Sequence, residues 1–355
     1  MPQTRWKNTS TSGNRAVMRW LSIFACIVAF LIVFGAFVRL TRSGLSITEW
    51  NPVSGSIPPI SEQAWQEEFA KYQQTPEFKQ INSNMTLEEY KYIFYIEWIH
   101  RFIARLAGLV YAIPVFYFLF TKKIPLKEFG IYFVMGLLFI AQAFAGWIMV
   151  ASGLVDRPSV SHFNLTIHLL LAFALFGLAL WTAFGHKYGF PDSGKQAKWS
   201  MPSKLALVSF VLLIVQITYG GMTAGLKAGH VSDTWPLMLG KLIPPNLFNS
   251  WVNLFETPQT IVFIHRWFAF AVFISMIALY LTARKGNHSI EIKNGLNWLL
   301  GLVIFQILLG ILTVVLHVQI VIALAHQAGA LFLFALLIYF VHRLRAIDAM
   351  QQSTT

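Results

Sequence analysis

The chain has 355 residues, 56% of them apolar and only 12% charged, and its mean hydropathy of +0.59 lies far above that of a soluble domain of this length. A bilayer is the expected solvent. The formal charge of +12 would suit a nucleic-acid binder, but the basic residues cluster at alternate ends of apolar stretches, so no nucleic-acid partner is expected.

Windows of about 20 residues pick out eight apolar stretches in chain order: 18–40, 92–120, 130–151, 162–184, 204–225, 260–283, 296–316 and 320–342. Each is long enough to cross as a helix. The predicted fold class is all-α integral membrane, with eight transmembrane helices as two pseudo-twofold-related four-helix bundles and both termini cytoplasmic. The first stretch ends in Val38-Arg39-Leu40 without a small-residue cleavage site and reads as a retained span. Upstream of it, Arg5, Lys7, Arg15 and Arg19 stand without an acid. Positive-inside flanking explains them, and a weak organellar presequence is the alternative. Lys122, Lys123, Lys127, Lys187, Lys195, Lys198, Lys204, Arg284, Lys285, Lys293, Arg343 and Arg345 fall on that same side. The long segment 41–91, where acids outnumber bases, falls on the other. Cys26, the single cysteine, excludes an internal disulfide and reads as a buried apolar residue.

The chain repeats itself. Glu97-Trp-Ile-His100-Arg101-Phe aligns with Val262-Phe-Ile-His265-Arg266-Trp at a shift of 165. Gly35–Gly44 aligns with Gly220–Gly229 at a shift of 185, which also carries Trp50 onto Trp235. Gln142 and Gly146 match Gln306 and Gly310, and His168 matches His326. The predicted division is a cytoplasmic segment 1–17, an N-terminal half 18–184, a cytoplasmic linker 185–203, a C-terminal half 204–342 and a cytoplasmic tail 343–355. Two halves of four spans share one orientation, so their axis runs along the membrane normal. The first outer loop, 41–91, is longer than 226–259. It is expected to form short amphipathic helices over the outer face, as a lid on a site or as a solvated surface loop.

Ionisable residues inside spans usually mark function. Four histidines at matching places, His100 and His168 in the first half and His265 and His326 in the second, weigh against a packing role. Two imidazoles from facing helices suit the axial positions of a haem iron. Zinc would call for thiolates or a denser set of carboxylates, and the halves offer neither. Arg101 and Arg266, each following a histidine, are candidates to pair with haem propionates, with snorkelling to the interface as the alternative. Arg39, Arg42 and Lys227 could act similarly, and Trp50 and Trp235 could be interface anchors.

The halves differ at one position above others. Glu97, three residues before His100 and on the same helix face, falls on Val262. Arg105 falls on Phe270, and His162 on Ile320. A lone carboxylate beside one histidine pair is either the structural partner of an arginine or a proton acceptor or cation stabiliser next to a reacting ring.

With Gly-Ala-Phe-Val-Arg-Leu-Thr-Arg-Ser-Gly-Leu-Ser at 35–46, Glu-Trp-Ile-His-Arg at 97–101 and the His265-Arg266 copy, the chain resembles the heme A synthase family from its first span to its last. It is similar to the cysteine-free branch with a long first outer loop, which includes the mitochondrial relatives. The resemblance implies an oxidoreductase of the bacterial inner membrane that converts the methyl group of haem O to the formyl group of haem A for haem-copper terminal oxidases. It further implies substrate haem at His100 and His168, a haem b cofactor at His265 and His326, and Glu97 as the essential carboxylate. Membrane lipid, a haem O synthase, an electron acceptor and a second copy of the chain are the partners it allows. A di-haem b-type electron-transfer protein would explain the histidines but not Glu97. A transporter would explain the repeat but not the histidines.

Overall fold

The structure, a computed structural model, describes residues 14–51, 54–155, 158–190 and 198–352. Arg5, Lys7 and Lys195 lie outside them. Asn14 caps the first helix, α1 (Arg15–Leu40), its Oδ1 accepting from the amides of Ala16 and Val17. Two short helices follow in the long loop. Ser61 caps α2 (Glu62–Gln73), and Thr75 caps α3 (Pro76–Gln80), which has Pro76 at its first position, where the missing N–H costs nothing. A capping box between Thr86 and Glu89 opens α4 (Leu87–Phe120). That start lies five residues ahead of the predicted 92, because α4 rises past the apolar stretch to carry α2 on its flank. Then come α5 (Phe129–Ala151), α6 (His162–Tyr188), α7 (Met201–Gly225), the single turn α8 (Asn253–Glu256), α9 (Pro258–Arg284), α10 (Ile290–Val315) and α11 (Ile320–Gln352). The last helix runs through most of the expected tail. Among the described residues eight helices are long and apolar enough to cross a membrane, and no strand is formed.

In the first set of four, α6 packs on α1 and α5, and α4 lies against α1. In the second, α7 packs on α9 and α11, and α10 on α9 and α11. The sets meet where α6 lies against α7 and α11. Without water to drive helices together, this contact depends on close approach. A Cβ added at Gly225 of α7 would stand 2.6 Å from His162 Cα, and one at Gly221 would stand 3.0 Å from Thr166 Oγ1. One apolar core runs through both sets, from Trp20 and Phe24 of α1 to Leu337 and Phe340 of α11.

The long loop is folded down onto α4. Trp65 and Tyr72 of α2 pack against Tyr90 and Phe94, with the rings of Tyr72 and Tyr90 stacked at 5.0 Å. Cys26 corrects an expectation: its side chain is exposed on the outside of α1, not buried. In a span, an apolar residue has no need of the core, because lipid solvates it equally well.

Candidate functional site: two histidine pairs

In the second half, His265 of α9 and His326 of α11 face each other, ring centroids 6.3 Å apart and ring planes 87° apart. With metal–imidazole bonds of about 2 Å, two rings about 6 Å apart could hold one metal ion between them. His265 Nδ1 lies 3.2 Å from both the backbone carbonyl and the side-chain Nε2 of Gln216, which fixes the orientation of the ring. Gln216 and Gln306 donate their amides to the backbone carbonyls of His265 and His326, both at 2.8 Å. Three or more histidine, cysteine or acidic side chains grouped as metal ligands do not occur among the described residues.

The first half places its two histidines on the equivalent helices. His100 of α4 stacks on Phe34 (centroids 6.1 Å, 23°), and His168 of α6 lies against α5. Each of the four imidazoles rests on a glycine. A Cβ at Gly35, Gly146, Gly220 or Gly310 would stand 2.9 to 3.2 Å from the ring of His100, His168, His265 or His326. Only a missing side chain lets a ring sit that close to a neighbouring helix. One detail differs: Gln142 Nε2 meets His168 Nε2 itself at 3.2 Å, where its counterpart Gln306 bonds backbone.

The arginines grip the loop that follows the first span of each half. Arg101 Nη2 and Nη1 donate to the carbonyls of Ile47 and Glu49 (3.2 and 3.3 Å). Arg266 Nη2 and Nη1 donate to those of Ser232 and Thr234 (2.7 and 3.1 Å). Residues 232 and 234 are 47 and 49 moved by the shift of 185, so the repeat extends to single hydrogen bonds. Arg266 Nε has no protein partner.

Symmetry fails at Glu97. Its carboxylate is buried (3% exposed) and accepts from three donors: Arg101 Nη2 on Oε1 at 2.6 Å, Ser46 Oγ on Oε2 at 2.7 Å and Ile47 N on Oε2 at 2.9 Å. The expected pairing with an arginine is present, and the carboxylate lies one turn from His100 on the same helix. In the second half Val262 and Val231 take the places of Glu97 and Ser46, and they pack with Ala228 and Met238. A polar pair in one copy is an apolar pair in the other.

Sequence reasoning missed Ser46 and the roles of Gln142, Gln216 and Gln306. Ser46 closes the 35–46 motif, and Gln142 and Gln306 were visible as repeat landmarks, but a hydroxyl or amide shows its partner only in three dimensions. Arg39 spans the halves: its Nη1 donates to Ala224 O at 2.8 Å, the residue that the shift of 185 makes its own counterpart. Arg42 and Lys227, also counterparts, both adopt left-handed backbone (φ 56° and 54°) where their helices end. His162 Nε2 bonds the carbonyl of Phe255 at 2.8 Å, fastening the second loop to α6. Trp50 stacks on Trp147 (5.1 Å), and Trp235 packs with Trp267 and Phe270. Glu77 of α3 is a second buried carboxyl, with Tyr72 Oη at 3.4 Å. Burial pushes it up to about 7, and the charges of Arg42 and Lys227 pull against that rise.

These features define a multi-pass membrane protein of duplicated four-helix design, with a facing histidine pair in its second half, a matching pair of histidines in its first, and one carboxylate that breaks the symmetry. The chain belongs to the COX15-CtaA family, described as cytochrome oxidase assembly protein, whose profile matches residues 18–338. It is 42% identical over 335 residues to the heme A synthase of Wolbachia pipientis wMel, covering 93% of each chain. It is 40% identical over 343 residues to that of Flavobacterium psychrophilum, covering 93% of this chain and 98% of the relative. Over 351 residues it is 37% identical to that of Parvibaculum lavamentivorans, covering 97% and 98%.

Proposed function

We propose that this protein is a heme A synthase of the bacterial inner membrane, with its termini in the cytoplasm, and that it oxidises the methyl group of haem O to the formyl group of haem A for haem-copper terminal oxidases. The observation that carries the reading is Glu97, fixed by three donors one turn from His100 in the first half and replaced by Val262 in the second. Family membership and relatives named heme A synthase support it.

In this reading His100 and His168 hold haem O as substrate, and His265 and His326 hold a haem b cofactor. The cofactor supplies one-electron transfer. The residues of the chain do the rest. The glycines under the histidines make room for rings held on edge. Gln216 orients His265, and Gln142, engaged on His168 itself, competes for that ligand in a half that must bind and release its haem. Glu97 presents negative charge at a fixed place in a medium of low dielectric, where it stabilises positive charge that develops on the oxidised ring or takes up a proton. The remaining N–H groups of Arg101 and Arg266 would pair with propionates. A haem O synthase and an electron acceptor are the partners such a reaction requires, and the lipid-facing sides of the helices leave room for a second copy.

Pigment extraction tests this. Purified protein given haem O should yield haem A by chromatography, with haem B retained as a resident pigment. Haem B alone, with no turnover of haem O, would instead fit an electron-transfer protein.

A further inference from the structure

The halves differ in how their first two spans meet. In the second half α7 and α9 pack closely, and the side chain of Gln216 fastens one to the other through His265 O. The shift of 185 puts Leu31 in the place of Gln216 in the first half, where His100 still bonds the Leu31 backbone but the leucine side chain offers no second tie. There α1 and α4 are in much sparser contact. Between them lies a groove of about 380 Å³, walled by Ser22, Ile23, Cys26, Ile27 and Phe30 of α1 and Ile103 of α4. The hydroxyl of Ser22 is spent on Met18 O (2.9 Å), so the wall is apolar in effect.

The groove leads to a histidine. Residues 22, 26 and 30 form one ridge of α1 at i, i+4 spacing, and the next member is Phe34. Phe30 stacks on Phe34 at 5.4 Å, and Phe34 stacks on His100. On the facing helix Ile103 lies one turn from His100. The groove is open to lipid along its length, with Ile23 57% and Phe30 50% exposed.

We propose that this groove takes the isoprenoid tail of the haem substrate, an inference that rests on reading the first half as the haem O site. Haem O carries a long hydroxyethylfarnesyl chain where haem B carries a vinyl group. A bundle that encloses the ring must let that chain out, whereas a bundle holding haem B can close. The groove is present in the half with Glu97, and close packing takes its place in the half without it. Because lipid is as apolar as the groove, the tail gains little by leaving the bilayer. The groove therefore selects by shape and sets the ring's rotation about the axis through its iron, which decides which methyl group faces Glu97.

Cys26, the chain's single cysteine, lines the groove and reports on it directly. The full-length protein in detergent would be labelled with N-ethylmaleimide, and the modification of Cys26 followed by mass spectrometry with haem O, haem B or neither. At a free concentration about 10 times its Kd, haem O should slow labelling about 10-fold, while haem B, its occupancy read from its absorbance, should leave the rate unchanged. Equal protection by both haems, or by neither, overturns the proposal. Labelling already blocked before haem is added, and not changed by it, would assign the groove to a lipid chain and overturn it as well. A second variant, Cys26→Trp, fills the groove. It should raise KM for haem O about tenfold, equivalent to about 1.4 kcal/mol, with the absorbance of the second-half haem intact, and an unchanged KM counts against the proposal. Protection by haem O alone in a protein that makes no haem A would sink the catalytic reading and leave the groove standing. Turnover without tail-specific protection would do the reverse.

Discussion

Ser46 is the cleanest place to test whether Glu97 works by being held still. Its hydroxyl donates to Glu97 Oε2 at 2.7 Å with both side chains buried (1% and 3% exposed), so water does not replace it when it is removed. A hydrogen bond to a charged acceptor contributes about 1.5–3 kcal/mol. If Ser46→Ala loses that amount only in the transition state, the rate falls by about 10- to 150-fold. The loss should lie toward the lower end, because Ile47 N and Arg101 Nη2 still hold the carboxylate at 2.9 and 2.6 Å. The assay is the rate at which purified protein converts added haem O to haem A, separated by chromatography, with the absorbance of the resident haem as control. Ser46→Thr keeps the hydroxyl and should recover part of the rate. Conversion by Ser46→Ala at the wild-type rate would refute the reasoning, as would a Ser46→Thr variant no better than Ser46→Ala while the resident haem is intact.

Glu97→Gln should abolish haem A formation and leave the second-half absorbance unchanged; haem A at normal levels in cells that depend on this variant would remove Glu97 from the chemistry. Gly225→Ala places a methyl group 2.6 Å from His162 Cα, so the α6–α7 contact must shift at a cost of about 1–3 kcal/mol, seen as a lower melting temperature in detergent. Glu77 makes stability depend on pH. Burial raises it from near 4.5 in the unfolded chain to about 7, so the folded state holds its proton more tightly. Stability is therefore full below about pH 4.5 and falls as pH rises to about 7, by up to about 3 kcal/mol. Tyr72, Glu97, Arg42 and Lys227 are the groups that modulate it. Glu77→Gln, which cannot ionise, should melt higher than wild type above pH 7 and alike below pH 4.5; parallel melting curves across that range would contradict the sign.

Sequence alone determined the solvent and the plan. Eight stretches of about 20 residues too apolar for water become helices in lipid, where each segment must satisfy its own backbone, and the observed helices cover the predicted stretches to within one residue. The repeat placed four histidines at equivalent positions, and the mismatch of Glu97 with Val262 singled out one half, since each of these is a matter of residue identity and register. Tertiary structure decided what those residues touch. His265 and His326, 61 positions apart, face each other at 6.3 Å only because α9 and α11 line one bundle. Ser46 reaches Glu97 because the backbone turns back after α1, and a hydroxyl in a loop carries no mark of its acceptor. Cys26 is exposed where its residue type predicts burial, because apolar residues in lipid face inward or outward at nearly equal cost and composition does not say which. The groove beside it depends on how far two helices diverge, which is a property of packing.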